Sequence, residues 1–322
     1  MTELRPGVFL RPDPSNLWAV VQFMVWVLLF LALAMGRRWL ERWLVARFQG
    51  RDPGEALGFA AWSVGLARPS MVQAMALLAG LLAGCAIPLL PQFQFAGRVI
   101  TLSPLSASAG GLLYVLAMDW LSAGLLAYST PRQLGLPSRT AIPGSVGAQL
   151  LAAVPSTLVV LSLVITSGAL RSGQDGTLSL SVLVALQGNW SGLRWLAVLQ
   201  PVACLLWVVS SMPSPSDPKL RVTLAWQVRA LSRALLTTVL FAGGWQGPLV
   251  ERYAGLGLLY TTVKVALFTF IWTWISASRP FLSAMSSSQS TWRRSTWLAG
   301  LNLLITAVVA ALRIPLSGLG LP

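Results

Sequence analysis

Long apolar stretches alternate with short polar connections along almost the whole chain. They lie at about residues 17–36, 70–91, 106–128, 144–168, 194–212, 222–244, 254–277 and 296–312. Most are close to the roughly 20 helical residues that cross a hydrocarbon core of about 30 Å. Because backbone groups in lipid must be paired within their own segment, we expect helices. The pattern predicts an all-α membrane protein of about eight transmembrane helices, with residues 1–322 forming a single transmembrane domain.

Composition supports this prediction and excludes several kinds of chemistry. Of the 322 residues, 55% are hydrophobic and 10% charged, whereas a soluble domain carries about 25% charged residues. The sequence has two cysteines and no histidine. His-ligated haem, mononuclear zinc and a Ser-His or Cys-His nucleophile all require histidine. We therefore expect no metal ligands and no catalytic residues in this chain.

The basic residues predict the orientation of the helices. Thirteen of the 23 Lys and Arg residues fall in connections that follow odd-numbered predicted helices, against seven on the other side. Cytoplasmic loops are enriched in these residues, so both termini are predicted to face the outer, non-cytoplasmic side. This bias accounts for the net charge of +14. We expect a lipid bilayer around the protein and no nucleic-acid partner, since no groove-entering motif is present.

The connection between the first two predicted helices is the longest. Its first half is rich in arginine, and its second half, residues 55–68, is mostly apolar but too short to span a membrane. Such a segment is typical of a helix that lies in the membrane interface. We therefore predict one amphipathic interfacial helix between helices 1 and 2.

The arginine-rich half of this connection carries a motif. Residues 40–51 read Leu-Glu-Arg-Trp-Leu-Val-Ala-Arg-Phe-Gln-Gly-Arg. They resemble the pattern Glu-Arg-Lys-x-x-Gly/Ala-x-x-Gln-x-Arg of subunit 1, also called the H subunit, of the NADH–quinone oxidoreductases, a family that includes a membrane subunit of energy-converting hydrogenases. The residues that match in register are Glu41, Arg42, Ala46, Gln49 and Arg51. The family's following Gly-Pro is inverted here as Pro53-Gly54.

Further segments resemble the same family in the same order. They are Leu113–Met118, Ala148-Gln149, Leu178–Leu180, Phe241–Trp245, Lys264 with Phe270–Trp272, and Leu301–Ala307. No single segment is specific, but their order covers nearly the whole chain, with the family's helix count and sidedness. On this basis the chain is identified as a divergent member of the family.

The resemblance implies a function and partners. It makes the surface of Glu41, Arg42, Gln49 and Arg51 the docking site of a cytoplasmic peripheral arm and the border of a quinone pocket. It implies antiporter-like membrane subunits as neighbours, in a prokaryotic plasma membrane or an energy-converting internal membrane. No cofactor is expected on this chain itself, and quinone is the small molecule that the resemblance leaves open. The alternative for this surface is topogenic charge with ion pairs inside the segment.

The departures from the family concern acidic residues. A Tyr-Glu pair that follows the family's Ala-Gln is replaced here by Leu150–Val154, and the connection before the sixth helix keeps one acid, Asp217. A proton relay needs several titratable groups in a line, so we expect the quinone-linked proton path to be impaired or absent. We expect a coupling or scaffolding role. The alternative is an independent secondary transporter, which would contain a polar, broken-helix site; Pro155 and Pro201 interrupt two predicted helices.

Four charged residues are candidates for intramembrane function: Asp119, Lys264, Arg229 and Arg233. A charge in the bilayer is expensive and normally faces a partner or water. We hypothesise a pair between Asp119 and Lys264; alternatively, each side chain snorkels or meets an adjacent subunit. Arg229 and Arg233 are spaced i, i+4 on one helix face, where they could contact a partner's acid or a lipid phosphate.

Overall fold

A computed structural model describes residues 16–52, 70–91, 93–95, 98–100, 110–133, 138–170, 177–188, 195–210, 223–250, 252–277 and 288–311. Helices dominate these residues. They are α1 Asn16–Phe48, α2 Met71–Cys85, α3 Gly111–Gln133, α4 Ser138–Leu170, α5 Leu180–Leu186, α6 Leu196–Leu199, α7 Pro201–Ser210, α8 Leu224–Phe241, α9 Leu256–Ala277 and α10 Ser288–Ala311. Two short strands, β1 Phe93–Phe95 and β2 Arg98–Ile100, pair antiparallel with Phe93 opposite Ile100. The sequence analysis did not predict this hairpin.

Four helices are long and apolar enough to cross a membrane. Within the described residues they cover Val20–Phe48, Gly111–Ser129, Leu256–Ile275 and Arg293–Ala311, and Met71–Cys85 and Ala153–Gly168 are shorter apolar helices. Every predicted stretch overlaps a helix. The predominantly helical membrane architecture is therefore confirmed in outline, apart from the β1–β2 hairpin, while the number of eight spans and the orientation of the termini stay predictions.

Helix α8 forms the centre of the molecule. Its buried residues run almost continuously from Ala225 to Phe241, and α1, α2, α3 and α9 all contact it. The outer helices instead expose large apolar side chains, such as Leu28 at 64%, Leu259 at 56% and Leu304 at 61%. Lipid is as apolar as these side chains, so this distribution suits a helical bundle in a bilayer.

Small residues bring α2 close to its neighbours. A Cβ at Gly84 would lie 2.6 Å from the Phe30 ring, and a Cβ at Gly80 would lie 3.0 Å from Val228. The Ser122 hydroxyl donates to the Ala76 carbonyl at 2.9 Å, which joins α3 to α2. Close packing through small residues and interhelical hydroxyl bonds holds membrane helices together where the hydrophobic effect is weak.

The first helix is longer than predicted. The apolar pattern predicts its end at residue 36, but α1 continues to Phe48 and contains most of the arginine-rich half of the predicted connection. The Arg37 side chain binds Glu41 one turn further on and Gln227 of α8, so its charge is satisfied inside a helix. Residues 53–69, and with them the predicted interfacial helix, lie outside the described residues.

The predicted fifth helix is divided into two. Helix α6 ends at Leu199, α7 begins at Pro201, and Gln200 lies between them with φ −133° and ψ 65°. Proline lacks the N–H that would continue the hydrogen-bond pattern, which explains a break here. Pro155, by contrast, lies within α4 without ending it.

Candidate functional site

Three charged side chains meet where α3 packs on α8, and we call them the Asp119 cluster: Asp119, Arg229 and Arg233. Nε and Nη2 of Arg233 donate to Oδ2 of Asp119 at 2.9 and 2.6 Å. Nε of Arg229 lies 3.3 Å from Oδ1 of Asp119. The two arginines reach the same carboxylate because residues four apart lie on one face of a helix.

The Asp119 cluster is buried and contains two positively charged side chains for one negatively charged side chain. Side-chain exposure is 4% for Asp119, 8% for Arg229 and 13% for Arg233. Two guanidinium groups share one carboxylate, and the Arg229 guanidinium lies 5.8 Å from the Trp226 ring centroid, where the π-face provides further attraction. Its Nε nevertheless makes no hydrogen bond within the described part of the chain. Asp119 is thus bound firmly by Arg233 and more loosely by Arg229.

The hypothesis of an Asp119–Lys264 pair is wrong. The Lys264 ammonium donates to the carbonyls of Gly244 and Gln246 at 2.9 and 2.7 Å. It also lies 4.8 Å from the centroid of the Trp195 ring. Backbone carbonyls and a π-face stabilise this cation, while Asp119 finds its partners on α8.

The Phe241–Trp245 segment ends α8 and forms the turn that follows it. Gly243 and Gly244 have φ of 67° and 53°, a region that residues with a Cβ rarely adopt. A Cβ at Gly244 would lie 2.9 Å from Val184, so the close packing of this turn also requires glycine. The turn directs the Gly244 carbonyl to Lys264, and Gln187 accepts from the Gly243 N–H at 2.9 Å.

The predicted docking residues divide into a paired and an exposed set. Arg37 Nη2 lies 3.0 Å from Oε2 of Glu41 and donates to Oε1 of Gln227 at 2.8 Å. Glu41 thus makes an ion pair inside the segment, and its role in docking stays a prediction. Arg42 is half-buried, whereas Gln49 and Arg51 are exposed, just after Phe48 ends α1. Arg37, within α1, thus contacts the first turn of α8, and the sidedness of the helices stays a prediction.

A second polar group, in which Ser162 and Thr166 are buried and the other members half-buried, lies at the break between α6 and α7. Most of it was not predicted from the sequence. We call it the amide cluster, and its members are Ser162, Thr166, Gln200, Asn302 and Thr306. Gln200 donates to Thr306 Oγ1 at 3.1 Å and to Thr166 Oγ1, and accepts from Ser162 at 3.2 Å. Asn302 Nδ2 is 3.2 Å from Ser162 Oγ. A glutamine directly before a proline inside an apolar stretch was the available signal.

Comparison with known proteins shows which of these site residues lie in a region of similarity to a known family. The sequence model of the family described as NADH dehydrogenase matches residues 221–307, which contain Arg229, Arg233, Lys264 and Asn302. The H subunit of NADH-quinone oxidoreductase from Protochlamydia amoebophila is 26% identical over 177 residues. The chain is thus similar to these H subunits at low sequence identity. The second H subunit of NADH-quinone oxidoreductase in Cereibacter sphaeroides is also 26% identical, over 254 residues that cover 70% of the chain and 73% of the relative.

The extent of these similarities differs between relatives. The chain spans about half the length of the first relatives it matches: 49% of the Protochlamydia protein and 42% of the H subunit from Deinococcus radiodurans, to which it is 28% identical. The family match covers α8, α9 and most of α10. Two of the three charges of the Asp119 cluster thus belong to the matched region, and Asp119 precedes it.

Proposed function

We propose that this chain is a membrane subunit of a complex I-like assembly, where it anchors a peripheral arm and couples it to antiporter-like subunits. The observation that carries the proposal is the similarity to H subunits of NADH-quinone oxidoreductase, which extends over 70% of the chain in one relative. These relatives are named as subunits of an oxidoreductase, which supports a role within an assembly. We also propose that its neighbours are antiporter-like membrane subunits and a peripheral arm.

The exposed end of α1 supports the anchoring role. Gln49 and Arg51 are exposed next to Phe48, which is 41% exposed, and Trp39 is 44% exposed on the same helix. Arginine and aromatic side chains are enriched at protein interfaces. We propose that this end of α1, on the predicted cytoplasmic side, receives the peripheral arm.

The charges inside the bundle support coupling without a quinone-linked proton path. Among the described residues the acids are Glu41, Asp52 and Asp119. Glu41 is paired with Arg37, and Asp119 is held by two arginines. A carboxylate held by two arginines links helices electrostatically. Within the described residues the ion-pair partners of Asp119 are arginines rather than further acids, so this cluster does not form a line of acidic groups. We therefore propose that the Asp119 cluster transmits movement between α3 and α8.

Purification in a mild detergent tests the assembly. We expect the tagged protein to co-elute with antiporter-like membrane subunits and with water-soluble subunits, identified by mass spectrometry. Arg51→Glu is expected to reduce the recovered water-soluble subunits several-fold, because it reverses a charge on the docking end. Arg252→Glu provides the matched control, since Arg252 is exposed and lies on the side predicted to face outward.

Two results would contradict this proposal. The first is a chain that purifies alone as a stable monomer or homo-oligomer from membranes that contain the other subunits. The second is equal recovery of the water-soluble subunits with Arg51→Glu and Arg252→Glu, which would mean that the end of α1 does not bind them.

An independent secondary transporter is the second candidate, favoured by one observation. The α6–α7 helix is broken at Gln200, next to the amide cluster, and broken helices with polar side chains form the binding sites of many transporters. A protein that purifies alone and moves an ion or small solute across liposome membranes would establish this alternative.

A further inference from the structure

A cavity of about 210 Å³ lies beside the break between α6 and α7. Its floor contains four members of the amide cluster: Thr166, Gln200, Asn302 and Thr306. The helix break frees the Gln200 side chain to cross from α7 toward α4 and α10, so three helices contribute to the floor. The cavity is several times larger than the roughly 30 Å³ that one water molecule occupies in the liquid.

The floor offers hydrogen bonds that a ligand can exchange. Gln200 Oε1 accepts from Ser162 at 3.2 Å and from Asn302 at 3.4 Å, and its Nε2 donates to Thr306 at 3.1 Å. The two contacts of Oε1 are longer than the preferred range for a hydrogen bond, whereas Nε2 is bound to both Thr306 and Thr166. Amide and hydroxyl groups both donate and accept, so a carbonyl or a hydroxyl can replace these internal partners.

The mouth of the cavity is apolar and exposed. Val202, Ile305 and Val309, which line it, are 50%, 55% and 37% exposed. Val309 and Ile305 belong to α10, a helix long and apolar enough to cross a membrane. The opening between α7 and α10 therefore faces lipid rather than an aqueous passage.

Among the residues that the structure describes, the side chains lining the cavity are uncharged. A charged head group would lose its water there without gaining a counter-charge, which is expensive in an apolar medium. We infer that this cavity binds the uncharged, carbonyl- or hydroxyl-bearing head of a membrane-dissolved amphiphile. The head meets Gln200, Asn302 and Thr306, and the apolar tail leaves through the mouth into the bilayer. This site is separate from the Asp119 cluster and from the docking end of α1, and it does not depend on the proposed function.

Thermal unfolding of the purified protein, together with any subunits that co-purify, tests the site. Dioctanoylglycerol and dioctanoyl phosphatidic acid have the same tails but an uncharged and a charged head. We expect a saturable rise in the unfolding temperature with dioctanoylglycerol and none with phosphatidic acid beyond that of a tail-matched detergent. Decylbenzoquinone, titrated in parallel, distinguishes a lipid ester from a quinone carbonyl as the source of the head.

Two neighbouring valines on α10 provide the matched variants. Val309→Phe fills the mouth and is expected to weaken the apparent affinity at least tenfold. Val308→Phe adds the same ring at a position that is 48% exposed and outside the cavity lining, so affinity should be retained. Thr306→Val removes one hydroxyl with little change in volume and is expected to weaken binding several-fold, which provides a second test if Val309→Phe cannot be purified.

Three outcomes would overturn the inference. No saturable shift with either uncharged probe would mean that the cavity binds no such head. An equal shift in the Val309→Phe and Val308→Phe proteins would mean that the probes act on the general lipid surface. A shift with phosphatidic acid that depends on Val309 would mean that the cavity accepts charged heads.

Discussion

The Asp119 cluster and the amide cluster differ in charge, in depth and in the space around them. The Asp119 cluster joins α3 to α8, the most buried helix, through three charged side chains that are 4–13% exposed. The amide cluster joins α4, α7 and α10 through uncharged side chains beside a cavity of about 210 Å³. One group is a rigid ionic link, and the other is an adaptable hydrogen-bonding surface.

The difference shows how a membrane protein uses charge and neutral polarity for separate tasks. A buried charge must be paired at close range, and removing one partner leaves the other uncompensated. The 2.6 Å contact between Arg233 and Asp119 meets this requirement. Uncharged amides tolerate longer contacts, such as the 3.4 Å between Asn302 and Gln200. A ligand can exchange the second kind of contact but not the first.

The largest expected effect is the loss of the central carboxylate. Asp119→Asn should lower the free energy of unfolding by about 3–5 kcal/mol, because two buried guanidinium groups lose their counter-charge. Chemical denaturation in detergent measures this loss. Asp52→Asn is the control, since Asp52 is exposed and surface changes usually stay within about 0.5 kcal/mol. Replacing all three charged residues by leucine should recover most of the loss, and a stable Asp119→Asn protein would contradict the ionic link.

The next prediction separates the two arginines. Arg233→Leu should destabilise the protein by about 3 kcal/mol, because it removes both short hydrogen bonds to Asp119. Arg229→Leu should cost less than Arg233→Leu, since its contact with Asp119 is longer and its loss leaves one buried arginine paired with one buried carboxylate. The same denaturation experiment compares them, and equal losses would show that both arginines bind Asp119 equally.

The smallest expected effect belongs to the amide cluster. Gln200→Leu should destabilise the protein by about 1–2 kcal/mol, the scale of leaving buried neutral partners without hydrogen bonds. Gln49→Leu serves as the control, since Gln49 is exposed beyond the end of α1 and surface changes usually stay within about 0.5 kcal/mol. A loss as large as that of Asp119→Asn would remove the contrast between the two groups.

Much of the architecture follows from the apolar pattern, because helix length in a bilayer is set by hydrocarbon thickness. The overlap of every predicted stretch with a helix reflects this constraint. The end of α1 could not be predicted in the same way. Arg37 lies within α1 and binds Glu41 one turn further on, a spacing that favours a helix and could be read from the sequence. Its second partner, Gln227, is 190 residues away, and that contact leaves no local signal.

The charged residues of the candidate site were predicted from the sequence, but which of them form ion pairs was not. Asp119, Arg229, Arg233 and Lys264 were identified because buried charges are rare in apolar stretches. Which of them meet depends on helix rotation and depth, which sequence spacing does not give. Lys264 binds the carbonyl of Gly244, which reaches the ammonium because Gly243 and Gly244 adopt positive φ in the turn after α8. Gln200 was missed because an uncharged amide does not stand out in a membrane helix.

Photo-crosslinking at the end of α1 tests the membrane-subunit account most directly. A photoreactive phenylalanine analogue at Gln49 should form adducts in native membranes with a water-soluble subunit, identified by mass spectrometry. The same analogue at Tyr253, which is 54% exposed on the side predicted to face outward, should form none with that subunit. Adducts at Gln49 with lipid or this chain alone, in membranes that contain the other subunits, would contradict the account.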